Sequence, residues 1–191
     1  MDQVKARNVE QDVPTDKKLD ELYELIDEIE VCLMTTVRPD GHLVTRPMQV
    51  RERATGADLW FVTNIESEKL DELAQNPHVN LGFYREKTRE WVSVSGTAKL
   101  TQDRALIREM YSADLRAWFP KESEERDGGP DDPRIALVLV EAHTVIFSKQ
   151  NRPRPVVLFE IAKAMVTGDA PKISDIRMMD ERELPGGTRD T

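Results

Sequence analysis

With 191 residues, 39 percent of them hydrophobic, the chain is long enough to bury one hydrophobic core and short for two. Its 36 acidic residues outnumber 27 basic ones and give a net charge of −9, which opposes nonspecific attraction to nucleic acid or anionic lipid. No apolar run approaches the roughly 20 residues that cross a bilayer, and the N-terminus lacks a signal peptide's apolar stretch, so the expectation is a cytoplasmic protein with neither membrane nor nucleic-acid partner.

Residues 1–14 read as a polar, frayed tail, after which Thr15 or Asp16 is placed to cap a helix. Its apolar positions Leu19, Leu22, Tyr23, Ile26 and Ile29 follow three- and four-residue spacing. Val31 to Val37 is rich in β-branched and apolar residues. Arg38-Pro39-Asp40-Gly41-His42 then offers Pro, Asp and Gly in turn order before Leu43 to Val50, which predicts a β-hairpin. Pro47 removes a ladder donor from the second strand and places it at a sheet edge or a bulge. Cys32, the single cysteine, falls in the first strand and reads as a buried, inert thiol.

A turn over Ala54 to Asp58 leads to a third strand, Leu59 to Thr63, and Asn64 to Glu68 lead into a short helix, Lys69 to Gln75, that stops before Asn76-Pro77. Trp60 and Phe61 alternate on that strand, so one is expected to face the core and the other a ligand or a second subunit. Val79 to Tyr84 and Trp91 to Leu100 make two further strands, and Gly96 in the second suggests a bulge or a close backbone approach. Asp103 is placed to cap a helix running to about Arg116. Lys121 to Pro133, charged and bearing Gly and Pro, reads as a mobile loop. Ile135 to Ala142 and Thr144 to Phe147 supply one or two last strands, Val157 to Val166 a helix that Gly168 ends, and residues 169–191 a polar tail. The sum is one domain over 15–168, mainly β with α additions, of about six antiparallel strands.

Candidate chemistry is sparse. His42, His78 and His143 show no metal-ligand spacing with Cys32 or with one another, and the acidic residues of 122–132 lack the spacing of a calcium loop, so no metal site is expected. Ser67-Glu68-Lys69 stands at a predicted helix start, where backbone N–H groups, a hydroxyl and an ammonium can converge on a phosphate. The plainer alternative makes Ser67 an N-cap and Lys69 a solvated charge. Ser93, Ser95 and Thr97 share one face of their strand and read as sheet-surface hydroxyls.

Across roughly 16–168 an ordered set of short motifs recurs: Met34-Thr35-Thr36-Val37, Thr45-Arg46-Pro47-Met48, Leu59-Trp60-Phe61-Val62-Thr63, Ser67-Glu68-Lys69, Asn76 to Leu81, Val92 to Ala98 and Trp118-Phe119-Pro120. In this order the chain resembles the general stress protein group of the pyridoxamine 5'-phosphate oxidase-like, FMN-binding split β-barrels. The resemblance implies FMN as cofactor, with FAD as the alternative, and a homodimer with composite flavin sites. Lys69 and Ser67, with Thr63 and Asn64, are implied to hold the phosphate and ribityl chain. Arg46, Pro47 and Met48 are implied to meet the flavin ring, Trp60, Phe61 and Val62 to belong to the same site, and Trp118 to reach the ring from the partner subunit.

Two departures bear on function. Relatives carry an aromatic pair ending in tryptophan where this chain reads Thr144-Val145-Ile146-Phe147, and Arg152-Pro153-Arg154-Pro155 is an unusually basic insertion. True pyridoxamine phosphate oxidases use arginine and histidine near the C-terminus, whereas this chain's last residues offer Arg182 and Arg189 without histidine, which argues against vitamin B6 synthesis. The expectation is a flavin-dependent oxidoreductase or a flavin-binding stress protein acting as reservoir, sensor or regulator. A heme or deazaflavin binder on the same barrel is the outlying alternative, with no histidine in a distinctive setting to serve as axial ligand.

Overall fold

Side chains that alternate between two apolar environments set the architecture. The computed structural model describes residues 8–10, 12–51, 58–150 and 152–185, and among them run seven strands, all paired antiparallel. They are β1 (Val31–Val37), β2 (Leu43–Gln49), β3 (Leu59–Asn64), β4 (His78–Arg85), β5 (Glu90–Thr101), β6 (Ile135–Lys149) and β7 (Asp175–Asp180). The helices are α1 (Thr15–Ile29), α2 (Lys69–Gln75), α3 (Arg104–Met110) and α4 (Arg154–Thr167), with a short 3₁₀ turn at Ala113–Ala117.

The sheet order is β2-β1-β4-β5-β6-β3, with β7 pairing the far half of β6. The hairpin turns where expected: Arg38 and His42 exchange a backbone bond of 2.8 Å, and Gly41 takes the φ of 83° that its turn requires. β2 is an edge strand, as Pro47 demanded. Just past β2, Arg51 N–H donates to the Trp60 carbonyl at 2.9 Å, which draws the two open edges of the split barrel together.

Inside the barrel the buried residues of α1 (Leu22, Leu25, Ile26) pack with Met34, Phe61, Leu81, Phe83 and Phe147. On the opposite face of β3 and β6 a smaller core gathers Trp60, Ile107, Met110, Phe119, Ile135 and Leu137 beneath α3. Trp60 and Phe61 therefore alternate as expected but to a different end. Both are buried, one in each core, and neither side chain is left for a ligand.

β5 and β6 show why a glycine stands at position 96. A Cβ there would lie 2.0 Å from the Glu141 carbonyl oxygen, so β6 crosses tight against the glycine and the register slips, pairing Ser95 with Thr144 but Gly96 with Ala142. His143 is the extra residue, and β6 continues through this bulge as one strand where the sequence left one or two.

Helix boundaries differ in instructive ways. Pro14, with no side-chain hydrogen bond, occupies the N-cap of α1, while Thr15 Oγ1 turns to Glu183 Oε1 at 3.1 Å. Asp103 caps α3 as expected, accepting from Ala105 N–H at 2.8 Å and Leu106 N–H at 3.3 Å, but that helix ends at Met110 and the 3₁₀ turn continues it. Pro153 is the N-cap of α4, so the basic insertion opens a helix, and Gly168 ends it at φ 75°.

Two segments expected to be loose are held in place. Asp132, fully buried, accepts from Gly128 N–H and Arg134 N–H and pairs with the buried Arg134 guanidinium at 2.7 Å, which pins the charged loop before β6. The same guanidinium bonds Glu122 and the Pro120 carbonyl and lies 5.7 Å from the Phe119 ring centre. Asp132 is thus an ion-pair partner and not a solvated charge. The C-terminal stretch expected as a tail supplies β7, whose buried Arg177 meets Glu21 of α1 at 3.1 Å, and at the other end Val9 bridges to Ile176. Of the turn expected over Ala54 to Asp58, residues 54–57 lie outside the described residues, as does Arg189.

Candidate functional site

The second half of β2, the end of β3, the segment before α2 and the 3₁₀ corner converge on a cleft of about 430 Å³. Its walls are Pro47, Met48, Gln49 and Arg51 from β2 and its continuation, Val62, Thr63 and Asn64 from β3, Ser67 and Lys69, and Leu115, Trp118 and Phe119 from the corner, with Val31 at the margin. The volume falls within the range of small-molecule sites, and the walls combine apolar side chains with a few convergent polar groups.

β3 delivers its last residues here because its register with β6 carries Thr63 and Asn64 past the barrel rim, where Asn64 pairs with Ile135. Asn64 Oδ1 accepts from Glu66 N–H at 2.9 Å and its carbonyl from Ser67 N–H at 3.1 Å, a turn that swings the chain from strand to helix. Ser67 makes no cap to α2. Glu68 stands at the N-cap without a side-chain hydrogen bond, and Asp71 and Glu72 occupy the first turn, so the positive charge at this end comes from Lys69 and not from the helix itself.

Lys69 is 9 % exposed, and its Nζ lies 3.3 Å from Met48 Sδ. Among the described residues no carboxylate is within ion-pair distance of it. Burial, reinforced by the neighbouring positive charge of Arg46 and partly offset by Glu72, pulls its ammonium below the usual lysine value. An ammonium has three donors, and a thioether satisfies one weakly, so this group is suited to an anion entering the cleft.

Arg46 is elsewhere. Its guanidinium grips Glu72 with both arms, Nη1 to Oε2 and Nη2 to Oε1 at 2.8 Å each, and Nη1 also donates to Thr36 Oγ1 at 2.9 Å. Thr36 Oγ1 in turn donates to Glu72 Oε2 at 2.6 Å. The fork holds the Glu72 carboxyl below the usual range and raises the guanidinium.

Of the residues expected at a cofactor site, the structure brings Pro47, Met48, Val62, Thr63, Asn64, Ser67, Lys69 and Trp118 together, and leaves Arg46, Trp60 and Phe61 outside the cleft lining. Trp118, expected from a partner, lines the cleft of its own chain and is 75 % exposed at the mouth. Gln49, Arg51, Leu115 and Phe119 were not singled out. Gln49 and Arg51 continue the strand that carries Pro47, and Phe119 sits inside the Trp-Phe-Pro motif, so the signal was adjacency. Arg51 bonds Ser112 and reaches Asp114 Oδ2 at 3.4 Å, tying the cleft to the 3₁₀ corner and to a larger adjoining cavity of about 1030 Å³ that shares Gln49 and Arg51.

Ser93 and Ser95 both accept from Asn80 Nδ2, at 3.0 and 3.1 Å, and Thr97 meets His143 at 3.3 Å, so these hydroxyls serve the sheet. Cys32 is fully buried and its thiol is pushed up to about 12 by burial, which makes it a packing residue.

An edge hairpin, a long bulged strand and a cleft at the open side of the barrel define a split barrel of the pyridoxamine 5'-phosphate oxidase type. A general stress protein 26 from Jannaschia sp. CCS1 superposes with a TM-score of 0.63 at 20 % identity, over 86 % of this chain and 99 % of that one. A pyridoxamine 5'-phosphate oxidase-related protein from Nostoc punctiforme, described as FMN binding, gives 0.56 at 19 % identity over 71 % and 84 %. The family model described as pyridoxamine 5'-phosphate oxidase like matches residues 17–172, and the chain belongs to that family. Protein bli-3 of Neurospora crassa is 33 % identical over 186 residues, 96 % of this chain and 89 % of that protein. By contrast, the match to the pyridoxine/pyridoxamine 5'-phosphate oxidase of Bacteroides thetaiotaomicron, 34 % identical, spans 38 % of this chain and 34 % of the enzyme.

Proposed function

We propose that the chain binds a flavin, FMN first and FAD as the alternative, in the cleft between β2, β3 and the 3₁₀ corner, as a homodimer with composite sites. The observation that carries this reading is the buried Lys69 ammonium, facing a cleft with no carboxylate among its described lining residues, beside Ser67, Thr63 and Asn64. A phosphate there satisfies the ammonium and the hydroxyls together, and the apolar walls Val62, Leu115 and Phe119 accept a planar ring. Pro47 leaves the β2 backbone without a ladder donor at its own position, so main-chain groups around Met48 are available to the polar edge of such a ring. Trp118 covers the mouth.

A flavin supplies hydride or single-electron transfer by its own chemistry. The chain's residues bind, orient and exclude water. Among the described residues the cleft lining contains no Asp, Glu or His to serve as an acid or base. That same absence favours a second reading, a flavin-binding stress protein without turnover that stores flavin or senses redox state.

Absorbance titration of the purified protein with FMN and FAD, followed by anaerobic mixing with NADH and NADPH, separates these readings. Binding followed by bleaching within seconds supports an oxidoreductase. Binding without bleaching supports the reservoir or sensor, and no binding of either flavin removes the cofactor assignment.

A further inference from the structure

Lys69 and Glu72 lie three residues apart on α2, a spacing that places two side chains on one helix face as neighbours, and both are buried. Left to themselves, a buried ammonium and a buried carboxylate at this spacing pair with each other, because each is the nearest charge that relieves the other's lost hydration. The chain prevents that pairing. Glu72 gives both oxygens to the Arg46 fork at 2.8 Å and takes the Thr36 hydroxyl at 2.6 Å on Oε2, so three of its roughly four acceptor positions are filled by residues outside the cleft lining. Lys69 is left against Met48 Sδ at 3.3 Å, with its remaining donors turned to the cleft that it lines.

We infer that Arg46 is a positioning residue: by holding Glu72 it keeps the Lys69 ammonium free for an anionic, phosphate-bearing ligand, and so sets the preference of the cleft for a phosphorylated over an unphosphorylated flavin. This rests on the flavin reading above for the identity of the ligand, but not for the charge arrangement itself. Arg46 has no place in the cleft lining; it acts on Lys69 by holding Glu72 and, as a neighbouring positive charge, directly. The arithmetic of charge is simple. Arg46 and Glu72 cancel, and the Lys69 ammonium keeps its charge for the cleft. Without Arg46 the carboxylate is left to Lys69 and the more distant Arg38, and the ammonium's charge is offset by Glu72.

Two measurements test this, and one of them needs no flavin. In ligand-free protein the Lys69 ¹³Cε shift is followed against pH in the wild type, Arg46→Gln and Arg46→Gln/Glu72→Gln. The ammonium is expected to titrate at higher pH in Arg46→Gln than in the wild type, because Glu72 now stabilises its charged form, and to fall back in the double variant. In the second measurement, FMN and riboflavin affinities are compared for the same proteins. Arg46→Gln is expected to weaken FMN roughly 10-fold or more while riboflavin changes less than about 3-fold, and the double variant to recover FMN to within about 3-fold of the wild type.

Recovery in the double variant is the decisive result, since a residue that touched the flavin or merely supported the fold would not be rescued by removing the Glu72 charge. Equal loss of FMN and riboflavin in Arg46→Gln, or no recovery in the double variant, overturns the inference, as does a Lys69 titration that Arg46→Gln leaves unmoved. If the wild type binds no flavin, the proposed function fails, and the Lys69 titration still decides whether Arg46 holds Glu72 away. If Arg46→Gln alone does not fold, Arg46→Lys, which keeps one positive charge but cannot hold both Glu72 oxygens, replaces it in both measurements, with shifts in the same direction expected and their absence overturning the inference.

Discussion

Lys69 shows how one residue can cost the folded chain stability and still be the reason for its site. Its ammonium is buried and held below the usual lysine value by lost hydration, so between that lowered value and the ordinary 10.5 the unfolded chain binds the proton more tightly than the folded one. Stability therefore rises with pH across that window in the ligand-free protein. On the proposed assignment FMN affinity is expected to run the other way, falling as pH rises through the same lowered value, because the phosphate needs the charged form. Lys69→Met keeps the stem and removes the charge. It is expected to raise the melting temperature of the ligand-free protein and to weaken FMN by about 1.5–3 kcal/mol, roughly 10- to 100-fold, with riboflavin little affected. Calorimetric titration at neutral pH and a thermal melt check both halves. A variant that lowers the melting temperature and leaves FMN affinity intact contradicts the assignment of Lys69 to the phosphate.

At the scale of elements, the bulge of β6 and the loop before it are the features on which the cleft depends. Gly96→Ala places a methyl group 2.0 Å from a backbone oxygen of the neighbouring strand, which no rotamer change relieves, and a loss of about 3–5 kcal/mol in urea unfolding is expected. Asp132→Asn removes the charge that balances the buried Arg134, and a loss of about 3 kcal/mol at pH 7 follows. Asp132 titrates at about 2, below its ordinary 3.8, so the pair's contribution is complete above the ordinary value and is lost as pH falls through about 2. The deficit of the variant should accordingly vanish near pH 2, and a deficit that persists there would mean that packing, not charge, holds the loop. These elements also show what was legible beforehand. The hairpin, the edge position of β2, the exact span of α2 and the tight approach at Gly96 follow from Pro, Gly and β-branched patterns that act locally. β7 was missed because Asp175 to Asp180 places Arg177 inward, and its ion pairs with Glu21 and Glu10, both distant in sequence, make that burial tolerable. The ion pair of Arg46 with Glu72 and the seat of Trp60 in a second core under α3 were not legible for the same reason, since those partners come from distant parts of the chain.

On the scale of the whole molecule, the surface left by a single chain is unfinished. α4 buries no described side chain, and Leu158, Phe159, Met165 and Val166 are 67, 66, 83 and 88 % exposed. A helix apolar around most of its circumference is normally covered, and isolated soluble chains rarely present contiguous apolar patches beyond a few hundred Å². Trp118 at the cleft mouth is exposed to a similar degree. A second copy of the chain is the partner that the proposed composite site calls for, and it would cover such surfaces. Light scattering on the eluted protein at micromolar concentration is expected to give about twice the 21.9 kDa of the chain. Leu158→Glu together with Met165→Glu should shift that mass toward the single chain while leaving the far-ultraviolet circular dichroism unchanged. Trp118→Ala should alter flavin fluorescence in the assembled form. A wild type that elutes at 21.9 kDa and binds FMN with full affinity would mean that the cleft of one chain suffices and that Trp118 serves its own protomer.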